Sequence, residues 1–322
     1  MIKDKKIAFI FPGQGSQYVG MGKDFYDTID ISRQTIDTAC GLLDFDLKHV
    51  LFEENTDINI TEYTQAAMLA VSVAMLKALE EKGVRSDVNA GLSLGEYGAL
   101  VASGVMDFET AVLLVRKRGI YMQEEVPPSA GAMAAVMAMD TDTIYNICEE
   151  VTIQERNTAG RKDAVVQIAN YNCPGQIVIS GDSQSVGKAS ERLKEAGAKR
   201  VVPLNVSGPF HSKMLIGAGE KLGEELKGVV IHPIETPYFS NVTGMVVNES
   251  GEVKELLKQQ VYSSVKWQQC VENMIRMGVN TFVEIGPGKT LSSFVRKIDR
   301  TVTVTNIEKA EDLEKVMEVL SC

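Results

Sequence analysis

Short apolar runs alternate with longer segments of helical periodicity along this chain. Residues 6–11 (K-I-A-F-I-F) are rich in β-branched and aromatic side chains and have the length of a buried strand. Residues 24–52 read as irregular helix. Residues 61–82 read as a long helix, with Thr61 or Thr64 as N-caps and Gly83 as its stop. A strand over 88–92, a helix over 94–104 and a helix over 107–124 follow, the last ended by Val126-Pro127-Pro128.

From residue 131 the rhythm changes. Strands are expected over 132–139, 164–169, 176–180 and 199–206, and helices over 142–151 and 183–196. N-Y-N-C-P-G is read as a turn and 154–163 as a polar surface loop. The order β-α-β-β-α-β is ferredoxin-like. After the connection 206–212 come helices over 213–226, 253–262 and 268–277, and short β pieces over 235–241 and 245–247. A strand over 281–285, a helix from Leu291, a strand over 301–306 and a helix over 310–319 complete the chain. Strands alternating with helices imply a mostly parallel sheet covered on both faces. The expected class is therefore α/β. A large domain spans 1–129 and 206–322, and a small ferredoxin-like domain over 130–205 is inserted into it.

Composition narrows the functions. With 322 residues, 44% of them hydrophobic, the chain can bury a large core. A formal net charge of −10 counts against a nucleic-acid partner. The five Cys are scattered singly and form no C-x-x-C, so neither a disulfide framework nor a metal site is expected, and reduced cytoplasmic thiols are the simple reading. The apolar stretch 66–79 is interrupted by Ser72 and Lys77 and is too short to span a membrane. The run before Pro12 is too short for a signal peptide.

Candidate chemistry centres on G-L-S-L-G, residues 91–95. G-x-S-x-G between a strand and a helix suits a nucleophile elbow, in which Ser93 is pushed out while Leu92 and Leu94 turn into apolar layers. As in an α/β-hydrolase, the first amides of the following helix would face an oxyanion. A serine hydroxyl needs a base. Of the three His, His49 and His232 lie in polar surroundings, whereas His211 follows a strand end behind Gly208 and Pro209. No acidic residue stands out as a third member, which leaves a backbone carbonyl as the alternative means of orienting His211. P-G-Q-G-S-Q after the first strand is not a dinucleotide fingerprint, because Tyr18 holds the third glycine position. It reads as a tight turn or as a loop whose backbone approaches a ligand. Arg118 either joins Arg116 and Lys117 on a solvated face or, with Gly119 behind it, turns inward to meet a carboxylate.

F-P-G-Q-G-S-Q, G-L-S-L-G-E, L-V-R-K-R-G-x-x-M-Q, G-A-M-A-A-V, N-Y-N-C-P-G-Q, G-P-F-H-S, Q-V-Y-S-S-V-K-W and E-I-G-P-G-K occur together and in order. Over nearly its whole length the chain resembles the malonyl-CoA:acyl-carrier-protein transacylases, the stand-alone malonyl loading enzymes of fatty-acid synthesis. The resemblance implies that Ser93 carries the acyl group and that His211 is the base. It implies that the amides of Gln14 and Leu94 form the oxyanion hole and that the main-chain carbonyl of Gln260 holds His211. It implies that Arg118 binds the malonyl carboxylate, that Met122, Asn170, Asn172 and Phe210 line the substrate cleft, and that the two Asn lie in a loop. It further implies malonyl-CoA and an acyl carrier protein as partners, no cofactor and a monomer. The family elbow commonly reads G-H-S-L-G-E. Leu92 replaces that His here, as in some loading enzymes of polyketide assembly, so the pathway served stays open between the two. A serine hydrolase or thioesterase is the more distant alternative, and an inactive docking module the non-enzymatic one. Lys188, Arg192, Lys199 and Arg200 are candidates for docking an acidic carrier, set against an ordinary solvated face.

Overall fold

The opening apolar run becomes the centre of the larger sheet. The computed structural model describes residues 5–127, 129–158, 160–206 and 208–321; residues 1–4, Pro128, Ala159, Ser207 and Cys322 lie outside the described residues. Strands β1 (Ile7–Phe11), β2 (Val88–Gly91), β3 (Gly131–Met137), β4 (Val166–Cys173) and β5 (Gln176–Asp182) are followed by β6 (Arg200–Pro203), β7 (Tyr238–Phe239), β8 (Val246–Val247), β9 (Thr281–Ile285) and β10 (Thr303–Ile307). Six of them form one sheet in the order β10-β9-β1-β2-β7-β8, parallel except for β8 against β7. Successive side chains of β1 point to opposite faces. Phe9 and Phe11 join the core built on the helix Thr61–Glu81, while Ala8 and Ile10 join Trp267, Val271 and Leu291 on the other face. With both faces covered, the strand has no polar side to show, which is why its sequence is continuously apolar.

The helix Thr61–Glu81 is buried along most of its length and so lacks a polar stripe. Neither expected threonine caps it. Ile60 occupies the N-cap without a side-chain bond, and Thr64 Oγ1 donates to the carbonyls of Ile58 at 2.6 Å and Ile60 at 2.9 Å, closing the preceding turn. The stretch 24–52 resolves into three helices, Lys23–Thr28, Asp30–Leu42 and Leu47–Phe52, broken where Ile29 is extended.

The other four strands form an antiparallel sheet in the order β4-β5-β3-β6, the ferredoxin-like arrangement. Helices Thr141–Asn157 and Ser183–Glu195 bury Ile144, Cys148, Val186 and Leu193 against it. Asp140 and Asp182 cap them by accepting from the amides of Thr143 at 2.8 Å and Ser185 at 2.9 Å. The first of these helices runs into the expected loop 154–163. The strand expected over 164–169 continues to Cys173, so N-Y-N-C is not a turn. Irregularities between Ile168 and Asn170 and between Tyr171 and Cys173 let this polar stretch keep pairing with β5, and the turn shrinks to Pro174-Gly175. Backbone bonds from Val265 N to Ala169 O at 2.7 Å and from Tyr171 N to Val265 O at 2.9 Å stitch β4 to the segment after Gln260.

In the parallel sheet β1, β2, β7 and β9 end at one edge, where ligand crevices of open α/β sheets form. The helix Gly95–Ala102 lies directly on the end of β1. A Cβ on Gly95 would sit 2.1 Å from the Phe11 carbonyl oxygen, and one on Gly98 would meet the Phe11 ring at 2.9 Å. The first obstacle is backbone and cannot rotate away. Gly95→Ala is therefore expected to cost at least about 1–3 kcal/mol and to lower the urea midpoint at unchanged m-value. A midpoint equal to that of the unsubstituted chain would show that helix and strand can part freely.

Candidate active site

The elbow forms because its glycines let three backbones meet. A Cβ on Gly91 would lie 1.9 Å from the Gly95 carbonyl, and Leu92 N donates to Phe11 O at 3.0 Å. Ser93 is forced into the left-handed region, at φ 55°, which costs a non-glycine residue roughly 1–3 kcal/mol. Asn241, just past β7, braces the turn. Its Oδ1 accepts from Ser93 N at 2.6 Å and its Nδ2 donates to Gly91 O at 2.7 Å. Leu94 is buried as expected, but Leu92 is only partly so and lines the cleft.

His211 also has a positive φ, 58°. Its Nδ1 lies 2.8 Å from the Gln260 carbonyl oxygen, which can only accept, so Nδ1 carries the proton. Nε2 is left as an acceptor for the Ser93 hydroxyl, 2.7 Å away. Gln167 on β4 secures the loop by donating to His211 O and accepting from Lys213 N, both at 3.2 Å. Burial, and then the nearby positive charge of Arg118, push the His211 pKa down to about 3, so the imidazole is neutral in the resting state. The other two His are outside the site: His49 sits by Glu53 at 2.9 Å and His232 by Asp107 at 3.2 Å.

Arg118 turns inward and is 1% exposed. Gly119 makes this possible: a Cβ there would be 2.8 Å from Glu62 Cα, so the helix Phe108–Glu124 crosses close against the start of Thr61–Glu81. Arg116 and Lys117 point away, to Asp44 and Glu62 and to Glu225. The Arg118 guanidinium donates to Gln65 Oε1 at 2.7 Å, Gln260 Oε1 at 3.0 Å and Ser93 Oγ at 3.2 Å, and lies over the Tyr97 ring. All these acceptors are neutral, no carboxylate among the described residues forms an ion pair with Arg118, and its Nε has no partner. The Gln260 amide also donates to Ser93 O at 3.0 Å and to Glu96 Oε2 at 2.6 Å. Glu96 is fully buried, and desolvation raises its pKa to about 7 against the hydrogen bonds from Gln260 and Asn241 and the charge of Arg118.

These groups face a cleft of about 500 Å³ between the parallel-sheet edge and β4. Gln14, Leu94, Met122, Asn170, Asn172 and Phe210 all line it, together with Ser93, Arg118 and His211. The two Asn project from a strand, not from a loop, and Asn172 Oδ1 has no partner. No hydrogen bond to another described residue occupies the amides of Gln14 or Leu94, which leaves both free for a ligand oxygen. The Gln14 side chain donates to Thr61 Oγ1 at 3.1 Å. Chemically, the cleft offers a hydroxyl with a neutral base, two free amides and a buried cation beside the hydroxyl. Among the described residues no group of His, Cys, Asp or Glu is arranged to hold a metal ion, and no helix is long and apolar enough to cross a membrane.

Sequence reasoning missed Gln65, Glu96, Asn241 and the Gln260 side chain. Glu96 lay in view inside G-L-S-L-G-E, but nothing in the pattern showed it buried. Of the suggested carrier-docking cations, Lys188 is paired with Glu155 at 2.5 Å and Arg192 lies 3.6 Å from Glu150, whereas Lys199 and Arg200 are exposed and form no ion pair with another described residue.

A family model described as acyl transferase domain matches residues 8–316. The malonyl CoA-acyl carrier protein transacylase of Bacillus subtilis is 44% identical over 98% of this chain and 97% of its own. The crystal structure of the Clostridium perfringens malonyl CoA-acyl carrier protein transacylase superposes with a TM-score of 0.92 at 43% identity, covering 98% of this chain and 97% of that one. A malonyl-transacylase solved with a type II polyketide synthase acyl-carrier protein superposes with a TM-score of 0.92 at 35% identity, over 98% of this chain and all (100%) of that one.

The buried neutral His211 makes a stability prediction. With a folded pKa of about 3 against an ordinary value of 6.5, the unfolded chain binds more protons than the folded one between those limits. This contribution to stability is complete above the ordinary value and is lost as pH falls. From pH 6.5 to about pH 5 the loss is about 2 kcal/mol. Glu96, raised toward 7, runs the opposite way, but it does so equally in a His211→Gln protein and drops out of the difference. Urea unfolding at about pH 7 and about pH 5 should show the native sequence losing more stability than His211→Gln; equal losses would mean that His211 titrates as an exposed imidazole.

Proposed function

The chain belongs to the acyl transferase family as an acyltransferase of the malonyl CoA-acyl carrier protein transacylase type, and we propose that it moves a malonyl group from malonyl-CoA to the phosphopantetheine thiol of an acyl carrier protein through an ester on Ser93. The observation that carries the substrate choice is the buried Arg118 guanidinium, within 3.2 Å of Ser93 Oγ and without a carboxylate partner among the described residues. A thioester seated on Ser93 with an acyl tail ending in a carboxylate supplies that partner through two parallel hydrogen bonds.

In the first half-reaction Ser93 Oγ attacks the thioester carbonyl carbon and its proton passes to His211 Nε2. The carbonyl oxygen, now an oxyanion, is received by the amides of Gln14 and Leu94. Collapse breaks the carbon–sulfur bond, His211 returns the proton to the coenzyme A thiolate, and a malonyl ester remains on Ser93. The carrier thiol then gives its proton to His211, attacks the ester, and Ser93 recovers its hydrogen. The Gln260 carbonyl stabilises the imidazolium in both halves. Pairing of the malonyl carboxylate with Arg118 also cancels part of the charge that depresses His211, so the correct acyl group strengthens the base.

One chain carries every group used, so the reading needs no second subunit and includes a monomer. It uses no metal and no bound cofactor. We place the reaction in the cytoplasm, in keeping with Cys40, Cys148, Cys173 and Cys270 all being free thiols, and assign it to the supply of fatty-acid synthesis.

Malonyl-CoA alone should add one malonyl group, mapped to the peptide containing Ser93. Label on the peptide with Cys173, which is buried and does not line the cleft, would overturn the assignment. With a carrier protein present, malonyl-carrier should form; free malonate as the main product with and without carrier would make the enzyme a hydrolase.

Truncating one member of a buried charge pair costs about 2–5 kcal/mol. Arg118→Ala is therefore expected to lose roughly 30-fold to several-thousand-fold in kcat/KM for malonyl-CoA, with acetyl transfer kept or improved. Arg118→Lys should recover little, since one ammonium cannot make the two-point contact. A parallel fall for both acyl groups, or none for either, would defeat the carboxylate-clamp role.

A further inference from the structure

Glu96 is the buried acid that the transfer chemistry leaves unused, and its surroundings give it a role. It lies in the first turn of the helix Gly95–Ala102, fully buried, directly behind Ser93. Its Oε2 accepts from Gln260 Nε2 at 2.6 Å and from Asn241 N at 3.1 Å, while its Oε1 has no partner. The other end of the same Gln260 amide accepts from Arg118 at 3.0 Å. A single neutral amide thus bridges a buried carboxylate to the buried guanidinium.

We propose that Glu96 is the counter-charge of empty Arg118, and that it takes up one proton when a malonyl carboxylate arrives. The inference rests on the reading that Arg118 receives that carboxylate. In the empty cleft one anion and one cation balance through Gln260. A second carboxylate leaves the buried site with an excess negative charge, which is costly in a poorly solvated interior. A proton from solvent, bonded to the free Oε1 of Glu96, restores neutrality; it is released when the malonyl group leaves for the carrier. An acetyl group brings no charge and calls for no proton.

The other titratable groups around Glu96 do not take this role. Tyr97 on its own helix, Tyr238 on β7 and Cys270 on the helix Trp267–Arg276 all have their pKa raised by burial and stay neutral. His211 starts from about 3, and since burial, the larger of the two causes that lower it, stays in place when a carboxylate meets Arg118, it remains neutral near pH 7 with either acyl group. Ser240 and Asn241 add only hydrogen bonds. Burial places Glu96 itself at about 7, so a shift of its proton affinity is read near neutral pH.

Glu96 acts through Gln260 and Arg118 and is a positioning residue, so its signature is a pH-dependent selectivity and not a uniform loss of rate. Malonyl binding favours the protonated form. The ratio of kcat/KM for malonyl-CoA to that for acetyl-CoA should therefore fall about five-fold or more between about pH 6 and about pH 8.5. In Glu96→Gln, which keeps an acceptor for Gln260 and Asn241 without the charge, the ratio should be flat. A flat ratio in the unsubstituted enzyme would overturn the proposal. A second measurement does not depend on the Glu96 variant folding: calorimetric titration of Ser93→Ala with malonyl-CoA and with acetyl-CoA, each in two buffers of different ionisation heat. Malonyl-CoA should take up a larger fraction of a proton than acetyl-CoA, and equal uptake overturns the linkage. Arg118→Ala separates the failures: if discrimination survives that substitution, the carboxylate reading has failed; if it is lost while proton uptake is equal, only the role of Glu96 has.

Discussion

A positive charge buried against the Ser93 hydroxyl, with only neutral acceptors in contact, governs the architecture of this cleft. Arg118 gives up its hydration for Gln65, Gln260 and Ser93, and leaves Nε unsatisfied. Such a charge is expensive unless something compensates it, and much of the neighbouring structure exists to hold it. Gly119 lets two long helices approach until Arg118 and Gln65 meet. The helix Val253–Gln260 ends where the Gln260 amide can receive the guanidinium on one side and reach Glu96 on the other. On the proposed reading, ionised Glu96 balances this charge through Gln260 without touching it, a condition in which an entering carboxylate gains most.

The same charge explains why His211 is oriented by a carbonyl oxygen. A carboxylate beside its Nδ1 would sit near Arg118 and would offer the guanidinium a permanent partner, weakening selection for an acidic acyl group. The carbonyl of Gln260 fixes the tautomer without adding charge. Because that residue also presents its side chain to Arg118 and to Ser93 O, one residue sets the register between base, nucleophile and cation. The helix Val253–Gln260 therefore acts as a rigid spacer, and its attachment to β4 through Val265 carries the placement on to the strand that bears Asn170 and Asn172.

Elements whose local pattern agrees with their final packing were legible in the sequence. The buried strands β1, β2 and β9 announce themselves as apolar runs, and the elbow is marked by glycines whose missing Cβ atoms are what the backbone contacts require. Ser93 and His211 could be named because few residues of their kind occur in suitable places. What could not be read depends on distant partners. Asn170 to Cys173 looks like a turn by composition and is a strand because β5 and Val265 hydrogen-bond to it. The acidic neighbours of Lys188 and Arg192, Glu155 and Glu150, likewise come from another helix and could not be read beside them in the sequence. Glu96 sits in an obvious motif, yet its chemistry comes from Gln260, a residue of a helix far along the chain.

These features combine into a site whose electrostatics change with its contents. Empty, the cleft has a neutral, weakly basic imidazole, because burial and Arg118 both oppose its protonation. That is a safe resting state: Ser93 is held by His211 but is not ionised, and adventitious acyl groups meet a poor nucleophile. In the proposed reaction an acyl chain that ends in a carboxylate would neutralise Arg118 and so remove the second of the two influences on His211, leaving desolvation against the Gln260 carbonyl. The resulting gain in basicity would appear only with the tail in place, and so would add to kcat and not merely to binding. On the proposed reading, such a cleft would select its acyl group twice with a single cation: once by supplying the partner that the carboxylate needs, and again by making the base stronger when that partner is engaged.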